Sequence, residues 1–216
     1  DYGADLPDEV LLLTAGVDVQ DNRLECEVVG WGEGHRSWGI QYFIILGDPG
    51  QTAVWDQLDD ILIEKRWQYA DGSSIGVTTA CIDSGGHYTT EVYEYCHKRM
   101  AARIYPIKGV GGDGIPLITT YSTKNRYGVP LFRLGVDSGK DTIVSDLKQE
   151  NSDDLRYCSF PSDSSKGYTK EYFRKLTAEM KVAKTVNGRV KFQWVLRPGH
   201  KRNEAFDCRN YALAAL

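Results

Sequence analysis

No apolar run in this 216-residue chain approaches the ~20 residues that a membrane-spanning helix needs. Cys-x-x-Cys spacing is also missing. The five cysteines, Cys26, Cys81, Cys96, Cys158 and Cys208, are odd in number and scattered, which argues against a structural zinc site and suits reduced thiols better than a disulfide frame. Histidine is scarce, and His35, His87, His97 and His200 are too dispersed to form a recognisable metal set. A basic surplus is absent: 26 Lys and Arg stand against 30 Asp and Glu, a net charge of -4 with a pI near 5.6. Binding nucleic acid by overall charge is thereby excluded, whereas local binding through metal ions and a few basic loops is not. No signal-peptide pattern precedes the first apolar run, and the chain starts at Asp1 rather than Met, so an excised soluble domain is expected.

What is present has the composition of one globular domain, 41% hydrophobic and 26% charged. Residues 1–10, with Asp1, Asp5, Asp8 and Glu9, read as a linker from an upstream region, and residues 11–216 as the domain itself. Thr14 to Trp31 predicts two antiparallel strands joined at Asp21-Asn22. The first is nearly continuous in apolar character, as a strand covered on both faces is. Gly16, Asp18 and Gln20 share one of its faces. A carboxylate there is costly to desolvate unless it is paired, hydrogen-bonded or holding a metal. On the second strand, Glu25 and Glu27 read as ordinary face-alternating residues.

A third strand, Ser37 to Leu46, completes a meander. Asp48-Pro49-Gly50-Gln51 reads as a helix start with Asp48 as its cap, followed by Val54, Trp55, Leu58, Ile61 and Leu62 at helical spacing. Ile75 to Ile82 is a second apolar strand that runs into Asp83-Ser84-Gly85-Gly86. That places Asp83 at the strand's C-terminal edge, where ligand sites of open α/β sheets collect. A helix over Thr89 to Ala102 follows, then a short strand from Ile104 to Ile107. Gly109 to Gly128 reads as a flexible lip with little periodicity. A strand over Pro130 to Val136 and a helix over Lys140 to Gln149 come next, then a short strand at Tyr157 to Phe160 and helical character over Lys170 to Met180. Lys181 to Val195 reads as a hairpin turning at Asn187-Gly188, and Asn203 caps a closing helix to Leu216.

Three acids stand apart: Asp18 in a central strand, Asp83 at a strand end, Asp207 on the last helix. Hard divalent cations take oxygen ligands, and two of them side by side suit phosphodiester hydrolysis. Each acid also has a plain alternative, Asp18 satisfied by hairpin backbone, Asp83 as a helix cap, Asp207 paired with Arg202 or Arg209. Gly135-Val136-Asp137-Ser138-Gly139-Lys140-Asp141 is too short for a P-loop and lacks Ser or Thr after the lysine. A hydrolase centred on Ser84 with His87 or His97 lacks the Gly-x-Ser-x-Gly elbow. The residues after Asp18 do not supply the phosphate hairpin of actin-like kinases.

Leu13-Thr14-Ala15-Gly16-Val17-Asp18, the Trp31-Gly32-Glu33-Gly34 turn, Cys81-Ile82-Asp83-Ser84-Gly85-Gly86, Tyr105 to Gly109 and Arg202 to Cys208 with Tyr211 to Leu216 together resemble the nuclease domain of the large terminase subunit of lambda-like tailed phages. The resemblance covers Leu11 to Leu216 with the motifs in the family's order. It implies an α/β, ribonuclease H-like mixed sheet, an antiparallel three-strand meander plus parallel strands, flanked by helices. It further implies a two-metal endonuclease, with Mg²⁺ or Mn²⁺ on Asp18, Asp83 and Asp207, that cuts concatemeric double-stranded DNA in the host cytoplasm. The packaging ATPase region, absent from this piece, a small terminase subunit and a portal are the partners so implied. Lys108, Lys124, Arg126, Lys201 and Arg202 are candidate phosphate contacts. Glu204 is a further ligand or helper, or else an ion-pair partner of Lys201. A catalytically weak docking module of the packaging motor, or another ribonuclease H-like nuclease such as a resolvase, is the alternative.

Overall fold

The computed structural model describes residues 2–186 and 188–216. In chain order the strands and helices are β1 (Leu12–Gln20), β2 (Arg23–Trp31), β3 (Ser37–Leu46), α1 (Thr52–Asp59), β4 (Trp67–Gln68), β5 (Ser74–Ile75), β6 (Val77–Asp83) and α2 (Thr89–Lys98). They continue with β7 (Ile104–Val110), β8 (Ile118–Ser122), β9 (Leu131–Gly135), α3 (Val136–Leu147), β10 (Cys158–Ser159), α4 (Lys170–Leu176), β11 (Glu179–Val186), β12 (Arg189–Leu196) and α5 (Glu204–Ala215). One eight-stranded sheet runs β10-β3-β2-β1-β6-β7-β9-β8. The β1-β2-β3 meander is antiparallel, whereas β6, β7 and β9 continue it in parallel with β1. Helices flank this mixed sheet, as in ribonuclease H-like folds.

The period of two along the central strands sorts the core. Leu13, Ala15 and Val17 of β1 join Leu24, Cys26 and Val28 of β2 and Ala80 and Ile82 of β6 in one apolar cluster, covered by Val54, Trp55 and Leu58 of α1 and Val92, Tyr95 and Cys96 of α2. Thr14, Gly16 and Asp18 line the other face, under α5. A Cβ on Gly16 would lie 1.9 Å from the Cys208 carbonyl oxygen and 2.5 Å from the Ala212 nitrogen, so only glycine lets the helix approach so closely. Thr14 Oγ1 donates to the Ala212 carbonyl at 2.7 Å and accepts from Trp31 Nε1 at 2.7 Å. These two bonds fix the far end of α5 on β1. Within residues 2–10, Leu6 and Val10 are buried in the core and Tyr2 packs against it.

Several local expectations are revised. Asp48 does not cap α1: its Oδ1 accepts from the Gly50 amide at 2.8 Å, closing a turn, and the helix begins at Thr52 behind an uncapped Gln51. Val54, Trp55, Leu58, Ile61 and Leu62 are nonetheless all buried. The stretch Gly109 to Gly128 is not all loop, because Ile118–Ser122 pairs antiparallel with β9. Every β8 side chain is exposed, so no alternating pattern marks this edge strand in the sequence. Helix α3 begins at Val136, four residues before Lys140. Its Gly139 is a packing position rather than a breaker, since a Cβ there would lie 1.8 Å from Asn210 Oδ1 of α5. The hairpin is present, with Val186 opposite Arg189 and Gly188 at φ +74; Asn187 lies outside the described residues. All five cysteines are free, and among the described residues no helix is long and apolar enough to cross a membrane.

Candidate active site

Strands β1 and β6 run parallel, with Gly16 opposite Cys81 and Val17 opposite Ile82. One residue further along both strands come Asp18 and Asp83, on the face that carries Gly16 and Cys81 and that packs under α5. Helix α5 brings the third acid: Asp207 is one turn ahead of Tyr211, which packs against Cys81 and Ile107. Asp18 is 5% exposed, in a strand whose other inward positions are apolar or small.

The carboxyls feel one another. Burial pushes Asp18 well above the usual carboxylate range, and the charges of Asp207, Asp83 and Glu204 push it further against a hydrogen bond from Gln20. Asp83 is raised by burial, opposed by the backbone amides of Gly85 and Ser84 and by the charge of Lys108. Asp207 is raised by burial to about 6, with Lys140 opposing and Glu179 and Asp83 reinforcing. Burial at all three acids, with added negative charge at Asp18 and Asp207, favours a cationic partner or a bound proton there.

The donor set is all oxygen, which fits hard divalent cations. Among the described residues no group of three or more His, Cys, Asp or Glu side chains is placed to hold a metal ion by itself. Magnesium sites do not need one, since one or two carboxylates plus water and substrate phosphate suffice. Asp207 is held by Lys140 at 3.0 Å and by Asn203 Nδ2 at 2.9 Å. Lys140 and Asn203 also reach Glu179 Oε1, at 2.7 and 2.5 Å. The Lys140 ammonium, 7% exposed, is held charged by Asp207 and Glu179 against the effect of its burial. Neither Arg202 nor Arg209 is therefore the partner of Asp207. Asn203 precedes α5 but spends its side chain on the two acids, not on a cap.

Glu25 and Glu27 are not ordinary alternating residues. They stand opposite Asp18 and Gly16 in register and are completely buried. Glu25 accepts from Lys175 and Tyr42, from Arg23 at 2.6 Å and from Arg202 at 2.8 Å. Burial works to raise its pKa, and these hydrogen bonds outweigh burial and lower it. Glu27 pairs with the buried Arg209 at 2.8 Å and accepts from Tyr172 at 2.8 Å; burial still leaves it raised. Glu204 pairs with Arg23 at 2.5 Å and Arg202 at 2.9 Å, not with Lys201. The alternation of Glu25 and Glu27 was visible in the sequence, but their cationic partners come from residues 175, 202 and 209, too distant for any local pattern. Lys140 and Glu179 were missed for the same reason.

The basic candidates separate. Lys108 lies on β7 one step beyond Ile107, which faces Asp83 in register, and its charge reaches Asp83. Lys201 is exposed beside α5, while Arg202 is spent on Glu25 and Glu204. Lys124 and Arg126 are not brought to the acids. They follow β8 at the N-terminal end of β9, where Arg126 lies over Tyr127, itself stacked near His97 at the end of α2. Ser84 is buried with its hydroxyl given to the Ile107 carbonyl at 2.7 Å, so it is no exposed nucleophile.

The mixed sheet, with Asp18 and Asp83 at the ends of β1 and β6 and Asp207 on the helix across them, places the chain in the class of ribonuclease H-like α/β domains. Residues 2–216 match the family model described as the endonuclease domain of the terminase large subunit gpA. The chain belongs to that family. Over its full length it is 37% identical to the terminase large subunit of Escherichia phage lambda and 33% identical to that of Enterobacteria phage P21. It spans about a third of those relatives, 33% and 34% of their lengths. No solved structure matches.

Proposed function

We propose that this domain is a divalent-cation-dependent endonuclease that hydrolyses phosphodiesters of concatemeric double-stranded DNA during packaging in the infected cell's cytoplasm. The observation that carries the reading is the convergence of Asp18 and Asp83 at the ends of neighbouring parallel strands with Asp207 on the helix across them, all three disfavoured as charges by burial and Asp18 and Asp207 also by neighbouring acids. Two Mg²⁺ or Mn²⁺ ions, when bound, would supply Lewis acidity for water activation and for the leaving oxygen.

The chain's own residues do the positioning. Asp18 comes from the most central strand and would hold the ions together with Asp83 and Asp207. The amides of Ser84 and Gly85 hold the Asp83 carboxylate, and Lys140 and Asn203 fix that of Asp207. Glu204 adds negative potential at Asp18 while its own carboxylate is tied to Arg23 and Arg202, which suits a helper rather than a ligand. Lys108 and Lys201 would meet backbone phosphates. In this reading the ATPase region, the small subunit and the portal are partners in the larger assembly, and site choice is delegated to the small subunit. Supercoiled plasmid incubated with the folded chain should be nicked and linearised in Mg²⁺ or Mn²⁺ and left intact in EDTA. Intact plasmid with either metal would favour a docking role instead.

A further inference from the structure

The β11–β12 ribbon pairs only with itself, and its charges are unaccounted for by the site just described. Lys184 and Lys191 are directly opposite each other in register, with Arg189 two residues further along the same face. All three are exposed, and among the described residues none makes an ion pair. Like charges directly across a ribbon destabilise it, and Asp113 and Asp137, which share an open cleft of about 640 Å³ with Lys184 and Lys191, do not come within pairing distance. The opposite face is docked at its root, where Trp194 stacks on Phe206 and donates to Asp141 at 3.2 Å. Towards the tip it exposes Val190 (64%) and Phe192 (45%). The first residue of the ribbon is Glu179, which shares Lys140 and Asn203 with Asp207.

We infer that this ribbon is a duplex-DNA clamp, with Lys184, Arg189 and Lys191 against backbone phosphates and its root fixing their distance from Asp207. The inference rests on the nuclease reading for its purpose but not for its binding chemistry. Eight residues per strand give a ribbon about 26 Å long, and a two-stranded ribbon fits the major groove, about 12 Å wide. An acidic protein thus carries unpaired positive charge on an arm rooted beside its acids, and each phosphate it neutralises there adds counterion release.

The test is fluorescence anisotropy of a labelled 25-base-pair duplex, about the length of the ribbon's reach several times over, with the Asp18→Asn chain in EDTA so that no cutting intervenes. Replacing Lys184, Arg189 and Lys191 by Gln should weaken binding at least about tenfold and lower the slope of log K against log salt by about 2 to 3. Lys184→Glu separates binding from folding: it creates an opposite-charge pair with Lys191, so the melting temperature holds or rises while affinity falls. Unchanged affinity and slope in both variants would overturn the clamp. Plasmid cleavage by the chain with its acids intact is scored separately. A chain that binds through the ribbon yet never cuts sinks the nuclease reading alone, and one that cuts with ribbon-independent binding sinks the clamp alone.

Discussion

Asp18 carries an electrostatic cost that a single side-chain hydrogen bond relieves in part. It is nearly buried, has one hydrogen-bond donor, Gln20, and faces the charge of Asp207, Asp83 and Glu204. Asp18→Asn should therefore abolish plasmid cleavage and at the same time raise the melting temperature in EDTA, a trade of stability for function. Asp83→Asn and Asp207→Asn should also abolish cleavage with an unchanged circular dichroism spectrum. For Asp207 the pH dependence has a definite sign. Its folded pKa, about 6, lies above the ordinary 3.8, so between those values the folded state holds more protons and stability falls as pH rises. Melting curves in EDTA should show this contribution between about pH 4 and pH 6, and Asp207→Asn should remove it. Arg209 gives a contrasting case. Removing it as Arg209→Met strands Glu27 in the core and should cost about 3–5 kcal/mol in denaturant unfolding, with no direct effect on the acids.

Between elements, the decisive contact is α5 on β1. Gly16→Ala would drive a methyl group into the Cys208 carbonyl and the Ala212 amide, lifting Asp207 away from Asp18. Cleavage and melting temperature should fall together, unlike in the Asp→Asn series. Gly16 and Asp18 were legible in the sequence as neighbours on one face, because a strand's period of two is local. The meander, the strand ending at Asp83 and the closing helix were legible for similar reasons: long apolar runs, glycine turns and helical spacing all lie within a few residues. What could not be read is what depends on contacts distant in the chain. Strand β8 has no buried face to leave an alternating pattern, Gly139 resembles a helix breaker but is a crossing point with Asn210, and Glu25 and Glu27 acquire Lys175, Arg202 and Arg209 only when α4 and α5 fold over β2. The three candidate acids are legible as a carboxylate inside an apolar strand, one at a strand end and one on the closing helix, whereas Lys140 and Asn203, which hold Asp207, lie in stretches that read as a failed P-loop and a helix cap.

Across the whole molecule, a net charge of -4 coexists with unpaired cations at Lys108, Lys201 and the β11–β12 ribbon, so attraction to DNA is local and should weaken steeply with salt. Binding of divalent cations to the folded state alone would stabilise it by about 2.7 kcal/mol at a hundredfold excess over Kd. Mn²⁺ should accordingly raise the melting temperature of the wild-type chain and not that of Asp18→Asn. The central claim, that Asp18, Asp83 and Asp207 are one cation site, is tested most directly by an anomalous difference map from crystals soaked in Mn²⁺. The account predicts two peaks among these three carboxylates. Peaks elsewhere, or carboxylates that stay beyond reach of a shared ion, would contradict it.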